Sequence, residues 1–460
     1  MTTLIQGGQV VSPAGAVEAD VLVDGERITA VAAPGVLTGD ETIDAAGKYV
    51  LPGGIDAHTH MEMPFGGTQS ADSFETGTVA AAWGGTTTII DFAVQAKGTS
   101  LLSTLDKWHG KADGHCAVDY GFHMIVSDVN DASLKEMRAC VEAGVGSFKM
   151  FMAYPGVFYS TDGEILRAMQ QAREIGATVM MHAENGIAID ELAAQAYAAG
   201  RVGPVEHGRT RPPELEGEAT SRAIRLAEVT GSPLYIVHLS AAQALAAVAQ
   251  ARDEGQNVFA ETCPQYLYLS IEDLAKPGFE GAKYVASPPL REKPHQADLW
   301  RGLRTNDLSV VSTDHCPFCF KDQKELGRGD FRAIPNGIPG VEHRMDLLHQ
   351  GVVAGEISLG RWVETCSATP ARMFGLYPRK GVIAAGSDAD IVIYDPAAKQ
   401  TLSAETHHMN VDYSAYEGFE LSGKVHTVLS RGRVVVSPEG FSGGAGHGKF
   451  LSRGLNQYLN

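Results

Sequence analysis

Tyr49-Val50-Leu51-Pro52-Gly53-Gly54-Ile55-Asp56-Ala57-His58-Thr59-His60 is the stretch that decides the fold. An apolar run, 50–57, stops on two histidines spaced i, i+2. In an extended strand that spacing turns both imidazoles to one side, which is half of a metal site. Seven further apolar runs follow, at 86–91, 119–126, 145–150, 177–182, 233–238, 257–261 and 308–313. Helical patterns lie between runs, for example at 73–83, 133–142, 163–175, 219–230 and 241–252. Strand–helix alternation requires parallel strands, and eight of them predict an α/β fold, a closed (β/α)8 TIM-like barrel over 51–375. An open doubly wound sheet is the alternative, but no Gly-x-Gly-x-x-Gly follows the first strand.

Outward from the barrel, residues 1–50 read as short strands punctuated by Ser12-Pro13, Asp24-Gly25 and Pro34-Gly35. Residues 376–440 read likewise, with strands at Gly381-Val382-Ile383, Ile391-Val392-Ile393-Tyr394, 425–429 and Val434-Val435-Val436. A near-repeat links the ends: 7–15 (GGQVVSPAG) resembles 432–440 (GRVVVSPEG). Neither piece can bury a core alone, so the two are expected to build one small β-sandwich domain. The Gly- and Ser-rich tail, 441–460, is expected to be flexible or ordered only against a neighbouring subunit.

Bulk properties exclude several classes. The net charge of −18 over 460 residues disfavours nucleic acid and anionic membrane surfaces as partners. No run reaches the length of a membrane span, and the N-terminus has no signal-peptide pattern. Six cysteines are too few for a disulfide scaffold and suit a reducing cytoplasm.

Chemistry-bearing residues stand at the C-terminal tips of five runs: His58 and His60, Lys149, His182, His238 and Asp314. Barrel enzymes work on that face. Four imidazoles and a carboxylate suit zinc or a similar borderline metal. Lys149 has no lone pair as an ammonium. It joins such a site only as an anion made by CO2; a salt bridge from a barrel strand is the other reading of the residues.

These motifs, together with 284–291 (YVASPPLR), 312–318 (STDHCPF), 336–342 (NGIPGVE), 369–376 (TPARMFGL) and 380–392, resemble the cyclic amidohydrolases, and within them the hydantoinase/dihydropyrimidinase family. The resemblance covers nearly the whole chain. It implies two Zn2+ per subunit, with His58, His60 and Asp314 on one ion, His182 and His238 on the other, and carboxylated Lys149 bridging both. It implies ring opening of 5-substituted hydantoins or dihydropyrimidines to N-carbamoyl amino acids by a metal-bridging hydroxide, D-selectivity and a homotetramer. Asp314 then moves the proton, and Tyr154 steadies the oxyanion. Ser287 and Asn336 hold the substrate's amide edge.

Other expectations concern the walls of the site. Met63, Phe65, Phe151, Met152, Tyr154, Phe158 and Tyr159 offer an apolar pocket for the ring substituent. Glu62 stands where related branches carry a carboxylate-binding arginine, and an acid there would repel an anionic ring; allantoinase and dihydroorotase are the alternatives it weighs against. His123 belongs inside a strand. His207, His295, His343, His407 and His408 read as surface or structural, and His315 as a support for Asp314. Two rivals come from other classes: a collapsin-response-like assembly protein without the full metal site, and a thiol–disulfide protein using Cys316-Pro317-Phe318-Cys319.

Overall fold

The computed structural model describes residues 2–459; Met1 and Asn460, the outer ends of the two terminal segments, lie outside them. Eight parallel strands alternate with helices: Gly54–Thr59, Thr86–Val94, Asp119–Ile125, Ser147–Phe151, Thr178–His182, Leu234–Ile236, Val258–Thr262 and Val310–Val311. Neighbours pair in chain order, which excludes the doubly wound alternative, since that fold reverses its strand order. The ring is nearly closed. A parallel bridge joins Thr59 to His315, and the His60 amide donates to the His315 carbonyl at 2.8 Å. Buried Asp56 completes the seam, accepting from the Thr313 amide at 3.1 Å and its hydroxyl at 2.6 Å.

The first apolar run is two strands. Tyr49–Pro52 pairs with the strands Thr2–Ser12 and Ile391–Thr401, whereas Gly54–Thr59 enters the barrel. The break falls at Gly53, where a Cβ would sit 2.0 Å from Thr87 Oγ1. The barrel strands are buried on both faces, as parallel strands under helices must be. Ile55, Ile90, Ile125, Met180, Tyr235 and Val310 fill the interior. Helix ends follow local signals: Ser73 caps Phe74–Trp83, and Thr161 with Glu164 forms a capping box on Asp162–Ile175.

Both termini share one nine-stranded sheet, as their marginal size demanded. The near-repeat is structural. Ser12 pairs with Gly15 and Ser437 with Gly440 across equivalent hairpins, both glycines at φ +126°. In each, an amide donates to the serine hydroxyl at 3.3 Å. The strand expected at 381–383 does not form; Gly381 turns the chain at φ +80°. Lys380 lies 2.6 Å from Asp119 and 3.0 Å from Asp388 and also contacts Asp390, pinning the sheet domain to the barrel floor.

The tail packs against its own barrel. The Leu451 amide donates to the Tyr120 carbonyl at 2.7 Å and the Arg453 amide to the Gly144 carbonyl at 3.1 Å. Arg453 is buried; its guanidinium donates to the Ser147 hydroxyl at 3.1 Å, to the Phe374 carbonyl at 3.3 Å and to the Phe122 carbonyl. Among the described residues, no helix is long and apolar enough to cross a membrane.

Candidate metal centre

The six expected ligands converge at the C-terminal mouth of the barrel. His58 Nε2 lies 2.8 Å from Lys149 Nζ and 3.1 Å from Asp314 Oδ1; His60 Nε2 is 3.3 Å from the same oxygen. The donor atoms of His58, His60 and Asp314 fall within 4.8 Å of one another. The His182 and His238 rings are 4.5 Å apart, and His238 is 5.3 Å from His58. His238 and Asp314 adopt left-handed backbone, at φ +39° and +52°. Non-glycine residues there cost about 1–3 kcal/mol each, a strain that clusters at functional sites.

Orientation comes from acids the sequence reading gave no role. Glu261 contacts His58 Nδ1, and accepts from the Tyr235 hydroxyl at 2.8 Å and the His238 amide at 3.1 Å. Glu184 Oε2 lies 2.7 Å from His182 Nε2, so His182 keeps Nδ1 for a ligand. A carboxylate behind each imidazole is the usual setting of a metal-bound histidine. The available signal for Glu261 was an acid closing an apolar barrel strand, Val258-Phe259-Ala260-Glu261.

Burial lowers the basicity of the His58 and His238 imidazoles well below the ordinary value, with Lys149 adding to it at both. They are neutral lone-pair donors. Burial likewise pulls Lys149 down to about 8, against Asp314 and Glu261. Burial would raise Asp314, but His58, His60 and Lys149 outweigh it and hold the carboxyl at about 2. A donor set of buried imidazoles and one fixed carboxylate, with Glu261 orienting the His58 ring and Glu184 the His182 ring, fits divalent metal. A plain ammonium in its midst does not.

Above the ligands opens a cleft of about 410 Å³, lined by Met63, Phe65, Phe151, Tyr154, Phe158, Ser287, Cys316 and Asn336. Phe65 and Phe158 stack at 6.2 Å, and Tyr154 meets Phe65 edge-on at 5.3 Å. Burial pushes the Tyr154 phenol up to about 12, so it remains a proton donor. Asn336 Nδ2 donates to Ser287 Oγ at 3.0 Å.

Several expectations change. Met152 packs in the core outside the barrel, and Tyr159 does not line the cleft. Glu62 is turned away, into an outer groove beside Lys111, at φ +51°; the charge argument built on it lapses. His315 bonds Asp72 at 2.9 Å and accepts from the Gly340 amide at 3.1 Å, so it is scaffold, as is His123 in the third strand. His207 and His343 are buried. Cys316 and Cys319 are free thiols, and burial pushes the Cys316 thiol far up, which opposes thiol exchange.

The amidohydrolase family pattern matches residues 49–435. The chain belongs to the amidohydrolase family, and within it to the hydantoinase/dihydropyrimidinase group. It is 65% identical to a D-hydantoinase of Streptomyces coelicolor over 99% of both chains. It superposes on the dihydropyrimidinase of Brevibacillus agri with TM-score 0.97 at 52% identity, covering 99% of each chain. An L-hydantoinase of Arthrobacter aurescens matches at TM-score 0.89 and 31% identity, over 98% of this chain and 99% of that one. The protein is therefore a cyclic amidohydrolase acting on small cyclic amides, of a metal-dependent family.

Proposed function

We propose that this enzyme opens 5-substituted hydantoins and dihydropyrimidines to N-carbamoyl amino acids, using two zinc ions and a carboxylated Lys149. The observation that carries the reading is the cluster of His58, His60, Lys149, His182, His238 and Asp314 beneath an aromatic wall. His58, His60 and Asp314 would hold one ion, and His182 and His238 the other. Lys149 Nζ, once its ammonium has lost a proton, adds as the free amine to CO2 and loses a second proton, which turns a misplaced cation into a carboxylate that would serve as a metal ligand. When bound, the ions supply an activated water and a Lewis acid for the ring carbonyl.

The chain's own groups do the rest. Ser287 and Asn336 hold the ring amide. Tyr154 donates its phenolic proton to the carbonyl oxygen as that atom gains charge. Asp314 receives the proton released at attack and returns it to the ring nitrogen as the C–N bond breaks, a role worth roughly 10²–10⁴-fold. Phe65, Phe151, Phe158 and Met63 seat the 5-substituent.

D-selectivity is proposed from kinship: relatives at 65%, 51% and 47% identity are named D-hydantoinase, while the L-hydantoinase stands at 31%. The proposed assembly is a homotetramer, checked by sedimentation. The deciding experiment pairs metal analysis with turnover of both enantiomers of 5-substituted hydantoins, dihydrouracil, allantoin and dihydroorotate. Near-stoichiometric zinc with D-hydantoin turnover is expected. Preference for dihydroorotate, or activity untouched by chelation, overturns the reading.

A further inference from the structure

His207 sits in the short helix Val205–Arg209 and is buried against the wall that carries Ser287. Arg211 Nη1 lies 3.2 Å from His207 Nδ1. A guanidinium has donors only, so Nδ1 is the acceptor and the imidazole proton resides on Nε2. Nε2 then donates to the Ala286 carbonyl at 2.8 Å and faces Ser287 Oγ at 3.3 Å. Burial, with Arg211 second, holds His207 well below the usual imidazole range, so the ring stays neutral.

Directionality follows from counting protons. Ser287 Oγ already receives a proton from Asn336 Nδ2 and faces a second donor in His207. Its own hydroxyl proton must therefore leave another way. The Tyr154 hydroxyl lines the same cleft as Ser287 and Asn336 and is placed to accept from them, since both groups favour its phenolate. With its lone pairs engaged, Tyr154 sends its proton into the cleft. Arg211 also lies 4.0 Å from Glu184 Oε1, and its carbonyl accepts from Arg291, which fixes the guanidinium that sets the tautomer.

We propose that His207, locked in one tautomer by Arg211, is a positioning residue that aims the Ser287–Tyr154 hydrogen-bond chain at the ring carbonyl oxygen. This rests on the reading of Tyr154 as the donor to that oxygen. Neither His207 nor Arg211 is asked to touch substrate.

The test compares His207→Leu, His207→Gln and Arg211→Met, alone and in a Tyr154→Phe background, each with metal content and melting temperature recorded. A glutamine carboxamide nitrogen can reach the place of Nε2, so His207→Gln should keep most of the wild-type kcat. His207→Leu should lower kcat by about 10–100-fold, less than the loss of a whole oxyanion donor, with KM nearly unchanged. In the Tyr154→Phe background the same change should add no further loss, because both act through one proton. A readout independent of turnover is the long-range ¹H–¹⁵N spectrum of histidine-labelled, metal-free protein. His207, assigned by its absence from the His207→Gln spectrum, should show Nε2 protonated, and Arg211→Met should mix the tautomers.

Equal losses in the Leu and Gln variants, additive losses in the Tyr154→Phe background, or a wild-type Nδ1–H tautomer each overturn the proposal. If His207→Leu does not fold, the Gln and Arg211→Met variants and the spectrum still decide. A wild-type enzyme that opens no cyclic amide defeats the functional reading instead, and the tautomer measurement then judges the relay separately.

Discussion

Replacing Glu261 by glutamine should weaken metal binding while sparing the fold. The Glu261 carboxylate serves three partners: His58 Nδ1, the His238 amide and the Tyr235 hydroxyl. The first two meet one oxygen and the third meets the other. A carboxamide can keep its oxygen toward His58 and His238 and turn its NH2 toward Tyr235, whose hydroxyl rotates to accept. Every hydrogen bond is thus conserved in number, and the folding cost should stay below about 1 kcal/mol. What is lost is the negative charge behind His58. Removal of such a partner typically costs about 10–100-fold in metal affinity or activity, or roughly 1.4–2.7 kcal/mol at 1.36 kcal/mol per decade. Glu261→Leu, by contrast, orphans three buried donors at about 1–3 kcal/mol each and should abolish folding. The assay is competition for zinc with a chelator of known affinity, alongside thermal melting. Unchanged zinc affinity in a folded Glu261→Gln protein would refute the reasoning.

Four more outcomes are expected. Phe65→Ala and Phe158→Ala should cut kcat/KM for aryl-substituted hydantoins by roughly 10–200-fold and alkyl ones less; an even loss across substituents would remove both rings from the specificity pocket. Lys149→Ala should purify with depleted zinc and no turnover, read by metal analysis; full zinc occupancy in that variant would speak against a bridging role. Arg453→Ala should lower the melting temperature, since a buried guanidinium with three acceptors contributes about 1.5–3 kcal/mol per bond to a charged group; an unchanged transition would mean the tail is dispensable. Burial raises Asp346 to about 7, above its unfolded value of about 3.9. The folded state therefore holds more protons between these values, and stability falls as pH rises from 4 through 7. Asp346→Asn should flatten that slope in urea titrations at pH 4–8, and persistence of the slope would assign it elsewhere.

The barrel was legible because each of its strands is an apolar run ending on a chemically distinctive residue, and period and spacing survive without tertiary context. The ligand positions were legible for the same reason. Glu261 was not, because an acid inside an apolar strand reads as an anomaly until its partner, 203 residues away for His58, is in view; Glu184 lies in the loop after Thr178–His182, where no periodicity marks it as the partner of His182 two residues before it. Glu62 failed in the opposite sense. Its type suggested a role, but a left-handed backbone at φ +51° turned the side chain out of the cleft. In the tail, Gly and Ser signal looseness, yet glycines there permit close approach, as at Gly448, where a Cβ would lie 1.9 Å from the Val118 carbonyl oxygen. His207 looked like one more peripheral histidine because the carbonyl that takes its Nε2 proton, Ala286, lies 79 residues away.

The sharing of one sheet by strands 49–52 and 391–401 sets a schedule for the newborn chain. The first barrel strand is tethered to a domain that gains its middle strand only after some 340 further residues have left the ribosome. Until then the amino-terminal hairpins offer an open edge, and open edges recruit strangers. Productive maturation of this polypeptide thus depends on guarding that edge through most of synthesis, and slowed elongation near the end of the message should show up as aggregation rather than as a misassembled catalytic mouth.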